Sequence, residues 1–244
     1  MKLKRMNSVL GKKILAEIRG CNFAHPGEEK AIELVFKDVP KDSQKMILDV
    51  GCGIGGTASI IQNSGYGKVV GLDIDEPTIR EAKILYPNLE FIVSAVDDIC
   101  DKTSYHFDLF YLLTSFYAFP DHNQALQSLR KIAKPNAEIM IFDYADNGFN
   151  GAKKHNFSNP LKTQTINEIF NKNGWEITSF QDITDFFTES YIYLVDKIQG
   201  KKEAIISMND KESYEFVFNS YSNILDDYLN KRSSAVLIKG KLKS

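Results

Sequence analysis

Residues 47–57 read ILDVGCGIGGT, and this stretch decides the fold. A mainly apolar, strand-like run leads into a turn that holds four glycines within six residues. Because glycine has no Cβ atom, the backbone can turn sharply here and approach a ligand closely. A helix predicted to begin at Gly56 would offer unpaired N–H groups to a negative or polar ligand. The stretch therefore predicts a strand, a ligand-binding turn and a helix, in that order.

Segments rich in Val, Ile and Leu alternate with helix-like segments along the chain. Strands are predicted at Met46–Val50, Lys68–Asp73, Leu89–Val93, Phe107–Leu113, Ala137–Asp143, Trp175–Phe180 and Ser234–Gly240. Helices are predicted at Gly56–Asn63, Pro77–Tyr86, Asn123–Ala133 and Thr165–Asn173. Such alternation predicts an α/β fold with a mostly parallel sheet and helices on both faces.

Composition narrows the class of protein. The 244 residues are 43% hydrophobic and 25% charged, as expected for one globular domain or one and a half. A net charge of −2 argues against nucleic acid or an anionic membrane as a partner. Apolar runs are too short for a membrane span. The three cysteines are widely spaced and suggest neither a disulfide framework nor a zinc site, which favours a reduced, cytoplasmic setting and no metal.

Asp49, two positions before the first glycine, makes the turn a more specific sequence signal than the glycines alone. The string Asp49-x-Gly51-x-Gly53-x-Gly55 resembles the first motif of the class I S-adenosylmethionine-dependent methyltransferases. Later segments resemble the other motifs of that family in the same order. They are residues 69–75, which end in an acid, residues 91–99 on the adenine side, residues 107–113, and residues 129–137 before the fifth strand.

The resemblance implies a Rossmann-like, doubly wound sheet of seven strands, mostly parallel with the last strand antiparallel, under a helical cover. It implies S-adenosyl-L-methionine as cofactor and S-adenosyl-L-homocysteine as product. Asp73 lies 22 residues after Gly51, where a carboxylate can accept hydrogen bonds from both ribose hydroxyls. Asp75, before Pro77, is interpreted as a helix cap. The expected cofactor-binding residues are Asp49, Gly51, Cys52, Gly53, Asp73, Ile74, Val96, Asp97 and Leu112.

Two other functions remain open at this point. An NAD-dependent oxidoreductase uses a similar glycine turn and an acid at a similar distance. Asp49 opposes that interpretation, because a dinucleotide fingerprint normally has an apolar residue there. The other alternative is a cofactor-binding protein without catalysis.

The expected methyl acceptor is a small molecule, with an amine favoured. Phe23–Glu28 resembles a cofactor-covering loop of the phosphoethanolamine, sarcosine/dimethylglycine and tocopherol-type methyltransferases, and Phe142–Tyr144 resembles their substrate-facing strand end. His25 and Tyr144 are therefore the candidate catalytic residues, although His25 could equally serve loop packing. Phe23 stands where the phosphoethanolamine group has a tyrosine, and residues 153–157 (KKHNF) replace its phosphate ligands without keeping the pattern.

The organisation of the chain follows from these assignments. Residues 1–27 are expected to form an N-terminal helix and the cofactor-covering loop, and residues 28–244 the methyltransferase domain. Residues 185–231 form an aromatic-rich insertion between the sixth and seventh strands, ending in an amphipathic helix. The insertion either covers the sheet edge or lines a lid whose rings attract a methylated ammonium, each such contact contributing about 0.5–2 kcal/mol. The oligomeric state is left open.

Overall fold

Eight strands form one sheet in the computed structural model, which describes residues 3, 5–146, 148 and 158–243. The strands are β1 (Met46–Val50), β2 (Lys68–Asp73), β3 (Glu90–Val93), β4 (Phe107–Leu113), β5 (Ala133–Asp146), β6 (Leu161–Lys162), β7 (Trp175–Asp182) and β8 (Ser234–Leu242). The helices are α1 (Val9–Arg19), α2 (Glu28–Phe36), α3 (Gly56–Asn63), α4 (Glu76–Leu85), α5 (His122–Lys131), α6 (Ile166–Lys172), α7 (Thr184–Gly200), α8 (Lys202–Met208) and α9 (Lys211–Leu229). Within the described ranges, none of these helices has the length and apolarity that a membrane span requires.

The strand order confirms the predicted doubly wound sheet. Along the sheet the strands lie in the order β3-β2-β1-β4-β5-β8-β7, so β1 to β3 extend towards one edge and β4 onwards towards the other, and the strand order reverses between β1 and β4. Strands β1 to β5 pair in parallel, whereas β8 is antiparallel to both β5 and β7. The structure adds the short strand β6, which pairs with the end of β5. Open sheets of this kind bind ligands at the carboxyl ends of the strands where the order reverses.

Each strand of the sheet centre buries both of its faces. Along β4, Leu109, Tyr111 and Leu113 pack into one core with α1, α2, α3, α7 and α9, while Phe110 and Leu112 pack into the other with α5 and α6. Successive side chains of a strand point to opposite faces, and here both faces are covered. This explains why the central strands read as continuous apolar runs.

Side-chain caps fix the starts of several helices. Ser8 accepts a hydrogen bond from Gly11 N at α1, Asp75 from Thr78 N at α4, and Asp121 from Asn123 N at α5. Such caps satisfy N–H groups that have no partner within the helix. The interpretation of Asp75 as a helix cap is thereby confirmed.

The insertion between β7 and β8 folds into α7, α8 and α9 against one face of the sheet. Phe187 and Tyr191 of α7 and Val217 and Tyr228 of α9 are fully buried there. Lys197 of α7 and Lys201, the residue after α7, also hold the carboxyl end of α1: Lys197 Nζ donates to the Arg19 carbonyl at 3.1 Å, and Lys201 Nζ to the Glu17 carbonyl at 2.5 Å. Positive charge at a helix carboxyl end is favourable, so α1 and α7 form one cover.

Trp175 provides a test of the core between the sheet and helices α5 and α6. It is fully buried, its indole Nε1 donates to the Leu126 carbonyl at 3.1 Å, and its ring meets Phe110 edge to face. We expect Trp175→Ala to lower the free energy of unfolding by about 3–5 kcal/mol, because it leaves a cavity and removes the hydrogen bond of the indole. Phe180→Ala on the same strand, where the side chain is 45% exposed, should cost less than about 1 kcal/mol. Urea unfolding measures both, and equal losses would contradict this account of the core.

Candidate active site

A crevice opens at the carboxyl ends of β1 and β4, where the strand order reverses. Its volume is about 440 Å³, including the open mouth. Asp49 and Gly51 form its floor at the end of β1, and Leu113 closes it from β4. Residues 22–25 and Lys12 of α1 cover it from the opposite side. The crevice is thus bounded by the ends of β1 and β4 and by α1 with residues 22–25.

The glycine turn takes its shape from backbone conformations that other residues rarely adopt. Gly51 has φ 85°, and a Cβ atom there would lie 2.4 Å from Ser115 Cβ. Gly53 has φ 56°, but a Cβ atom there would meet nothing nearer than Lys12 Nζ at 3.9 Å. Positive φ explains the need for glycine at both positions. The turn is therefore packed below Gly51 and leaves space above Gly53.

Asp49 carries a buried carboxylate into this crevice. Its side chain is 3% exposed, and its Oδ2 atom has no hydrogen-bond partner among the described residues. Burial raises the pKa of Asp49 to about 7; the neighbouring Tyr111 hydroxyl opposes the rise and the charge of Asp73 adds to it. A buried carboxylate oxygen without a partner is costly. Asp49 is accordingly suited to a ligand that brings positive charge or hydrogen-bond donors.

Asp73 stands at the end of β2 and is joined to the glycine turn. Its Oδ2 accepts a hydrogen bond from Gly53 N at 2.9 Å, and its Oδ1 accepts one from Asp75 N at 3.0 Å. Each carboxylate oxygen has a second acceptor site. The carboxylate is therefore held by the backbone and can still accept hydrogen bonds from a diol.

The predicted adenine side lies next to Asp73. Ser94 N donates to the Asp73 carbonyl at 3.1 Å, so the end of β3 adjoins the end of β2. Ile74 is 71% exposed, an unusual state for a large apolar side chain, whereas Val96 is buried. Asp97 is exposed on the short 3-10 turn Val96–Asp101. Loss of part of its hydration and the charge of the neighbouring Asp98 raise the pKa of Asp97. These residues form one edge next to the Asp73 carboxylate.

His25 lies in the predicted covering loop and has a partner on each ring nitrogen. Nδ1 lies 3.3 Å from the Pro26 carbonyl, and Nε2 lies 3.1 Å from Thr57 Oγ1. A carbonyl only accepts, so Nδ1 carries the proton and Nε2 accepts from the Thr57 hydroxyl. Burial and the charge of Arg19 lower the pKa of His25 to about 3. The imidazole is therefore neutral near pH 7 and joins the loop to α3.

Tyr144 lies near the end of β5 within a cluster of aromatic side chains, and it is not among the residues that line the crevice. It is buried, its hydroxyl hydrogen-bonds to that of Tyr191, and its ring packs against those of Tyr117 and Phe187. Phe142 connects this cluster to the crevice, because its ring contacts both Phe187 and His25. Burial and neighbouring tyrosines raise the pKa of Tyr144 well above its usual range. The two candidate catalytic residues are thus connected through the rings of Phe142 and Phe187.

The side chain of Leu112, one of the expected cofactor-binding residues, does not line the crevice. It packs fully buried on the α5 and α6 face, and Leu113 lines the crevice instead. The alternation of side chains along β4 is the cause. The assignment of Leu112 remains a prediction that involves its backbone alone.

Cys52 and the cationic segment 153–157 are the remaining residues that the sequence analysis named. Cys52 lines the crevice, and burial raises its pKa well above the usual range, which keeps the thiol protonated. Residues 153–157, where phosphate ligands were considered, lie outside the described residues.

Asp143 is a residue of the site that the sequence did not single out. Its buried carboxylate accepts hydrogen bonds from Phe116 N at 2.7 Å, Tyr117 N at 3.3 Å and Tyr144 N at 2.7 Å. Burial raises its pKa to about 7, against the effect of these N–H groups. Asp143 therefore fixes the loop after β4 beside the crevice. The acid before Tyr144 was the available signal.

Several known proteins are similar to this chain. Phosphoethanolamine N-methyltransferase 1 of Arabidopsis thaliana is 26% identical over 213 residues, which cover 82% of this chain and 42% of that protein. A Haemonchus contortus phosphoethanolamine N-methyltransferase 2, solved with phosphomonomethylethanolamine and S-adenosylhomocysteine, superposes with a TM-score of 0.83. It is 20% identical, and the match covers 96% of this chain and 57% of that one. A cyclopropane synthase from Mycobacterium tuberculosis gives a TM-score of 0.77 at 14% identity, covering 88% and 84%.

These likenesses bear on fold and family in different ways. At such low identity the solved structures establish the shared fold. The chain spans less than two thirds of the phosphoethanolamine methyltransferases it matches. The family model described as a methyltransferase domain matches residues 41–213, which is well over half of the chain. The protein therefore belongs to the methyltransferase domain family.

Proposed function

We propose that this protein is an S-adenosylmethionine-dependent methyltransferase that acts on a small molecule. One observation carries the proposal: the buried, unpartnered Oδ2 of Asp49 lines a crevice beside a turn with open space above Gly53. A cationic ligand with N–H donors would satisfy that oxygen. Membership of the methyltransferase family supports the same ligand.

The residues at the crevice match the parts of this cofactor. Asp49 would take its cationic amino-acid end, and the turn from Gly51 to Gly53 would allow close backbone approach. Asp73 would accept from the ribose hydroxyls. Ile74, Val96 and Asp97 would contact the adenine. When bound, the cofactor supplies an electrophilic methyl group on a cationic sulfur.

An amine is the favoured acceptor. Curated relatives with this domain are named phosphoethanolamine N-methyltransferases, which supports nitrogen as the nucleophile. Tyr117, Tyr144 and Phe187 form an aromatic cluster that Phe142 links to His25 of the crevice, and ring faces can attract a substituted ammonium that reaches them. Transfer needs little more than alignment and exclusion of water, which the cover formed by α1 and α7 would provide. Tyr144 is the substrate contact in this proposal.

His25 has a different role in this proposal from the base suggested by its sequence context. Its Nε2 lone pair is engaged by Thr57, and a base with a pKa of about 3 is weak at neutral pH. The contacts support His25 as the residue that holds the covering loop in place.

The remaining expectations stay proposals. The NAD-dependent alternative is not favoured, because the family match and Asp49 both oppose it. The near-neutral net charge supports the absence of a nucleic-acid partner. The three cysteines are free, in keeping with a reducing, cytoplasmic setting. The division into residues 1–27 and 28–244 stays a prediction.

The cofactor assignment is tested through Asp49. A cation binds the ionised carboxylate, whose pKa is about 7, so affinity should rise as the pH rises through 7. We expect S-adenosylhomocysteine to bind about tenfold more tightly at pH 8 than at pH 6, and Asp49→Asn to bind weakly with little pH dependence. Titration calorimetry measures both.

The control is Asp98→Asn, on the exposed part of the neighbouring turn, which should retain the affinity and the pH profile of the wild type. Absence of S-adenosylhomocysteine binding together with a response to NADH would reverse the assignment. Binding without methyl transfer to any amine or phenol acceptor would select the non-catalytic alternative.

Burial of neutral His25 predicts a pH-dependent contribution to stability. Its folded pKa of about 3 lies below the ordinary 6.5, so the unfolded chain takes up a proton first as the pH falls. Between pH 7.5 and 4.5 the wild type should lose about 2–3 kcal/mol of unfolding free energy relative to His25→Gln. Urea unfolding at each pH gives this difference, in which the opposing contributions of Asp49 and Asp143 cancel. Parallel pH profiles for the two proteins would contradict a buried, neutral imidazole.

The acceptor side is tested through Tyr144. We expect Tyr144→Phe to lower kcat/KM for the best amine in a panel headed by phosphoethanolamine by about tenfold, with the dissociation constant of S-adenosylhomocysteine unchanged. Tyr228→Phe removes another buried hydroxyl of the same cluster, which donates to the Ser234 carbonyl at 3.3 Å, and should leave kcat/KM near the wild-type value. Similar losses in both variants would mean that the cluster is structural only.

A further inference from the structure

Lys12 of helix α1 lies directly above the carboxylate of Asp73. Its Nζ atom is 3.9 Å from Asp73 Oδ2, and the two side chains are 12% and 13% exposed. Lys12 also lines the crevice and is the nearest residue to the open space above Gly53. The sequence did not indicate this residue, which precedes Asp73 by some 60 positions.

Hydrogen bonds from α4 hold the Lys12 ammonium in this place. Nζ donates to Thr78 Oγ1 at 3.1 Å, and the Thr78 hydroxyl in turn donates to Asp75 Oδ2 at 2.5 Å. Thr78 is fully buried, and Asp75 is the cap of α4. The ammonium is therefore positioned by a side chain that cannot easily move away.

The Lys12 ammonium and the Asp73 carboxylate do not use all of their hydrogen-bonding capacity on each other or on their neighbours. An ammonium has three N–H donors, and Thr78 uses one of them. Asp73 Oδ2 accepts from Gly53 N and retains acceptor capacity. The separation of 3.9 Å is too long for a direct hydrogen bond between Lys12 and Asp73. Both groups therefore have capacity for a third partner.

A hydroxyl group suits the gap between them. An oxygen about 2.8 Å from each of two atoms 3.9 Å apart sees them at roughly 90°, so it can donate to one and accept from the other. We propose that Lys12 donates to a ribose hydroxyl of the cofactor while that hydroxyl donates to Asp73. Lys12 is then a determinant of cofactor affinity and of selectivity for an intact ribose, an inference that rests on the proposed function.

The consequence is that the N-terminal helix forms part of the cofactor site. Asp73 alone would recognise the ribose from the sheet. With Lys12, recognition also requires α1 to be docked on α4, and a hydroxyl is read as both donor and acceptor.

Lys13 provides a matched control on the same helix. Its Nζ lies 2.9 Å from Glu81 Oε1, one turn along α4 from Thr78, and its side chain is 50% exposed. Lys13→Met thus removes an equal charge and a contact between the same two helices, without touching Asp73. Lys12→Met keeps the apolar stem and removes the ammonium.

The experiment measures S-adenosylhomocysteine and its 2′-deoxy and 3′-deoxy analogues by calorimetry on the wild type, Lys12→Met and Lys13→Met. We expect Lys12→Met to weaken S-adenosylhomocysteine about tenfold, as for loss of a charge-assisted hydrogen bond. For one of the two deoxy analogues, the penalty seen in the wild type should shrink at least about threefold in Lys12→Met. Lys13→Met should match the wild type throughout, and thermal unfolding should show that both variants fold.

The outcomes separate this inference from the function on which it rests. If the wild type does not bind S-adenosylhomocysteine, the proposed function fails. If the wild type binds but both deoxy penalties are unchanged in Lys12→Met, the hydroxyl bridge is overturned. Tighter binding by Lys12→Met would also overturn it, because Lys12 would then compete with the ribose for Asp73.

Discussion

Strand β2 holds the glycine turn, and the candidate site depends on that attachment. Gly51 N and Cys52 N both donate to the Leu72 carbonyl, at 2.7 and 2.9 Å, and Gly53 N donates to the Asp73 carboxylate. The parallel register that pairs Val50 with Leu72 brings these groups together. The turn and the Asp73 carboxylate are consequently one hydrogen-bonded unit, so the sheet sets the distance between them.

Two buried carboxylates beside this unit, those of Asp49 and Asp143, differ in how their oxygens are hydrogen-bonded. Burial raises the pKa of both Asp49 and Asp143 to about 7. Asp143 accepts three backbone hydrogen bonds, whereas Asp49 Oδ2 has no partner within the described residues. A fully bonded carboxylate stabilises its loop, while an unpartnered one is a cost that a bound cation would remove.

Prediction succeeded where the information was local. The bounds of β1, β2 and β4 match the expected strands, because apolar runs bounded by turn residues are a short-range signal. The extension of β5 to Asp146 and the strand β6 were missed, since both depend on pairing with distant segments. The motif gives the strand but not the face that each side chain occupies, so only the structure places Leu112 in the α5 and α6 core and Leu113 at the crevice. His25 lines the crevice, but its partner Thr57, 32 residues away in the chain, could not be inferred from the local sequence.

The sequence alone determined the order of the seven main strands and of helices α3 to α6, the glycine turn and the acids that accompany it, because these follow from side-chain patterning and backbone freedom within a few residues. Only the tertiary structure decided which groups surround the crevice. Docking of α1 on α4 brings Lys12 to Asp73, and packing of α7 against β5 brings Tyr191 to Tyr144. It also decided which buried groups are satisfied, because burial and hydrogen bonding depend on segments far apart in the chain.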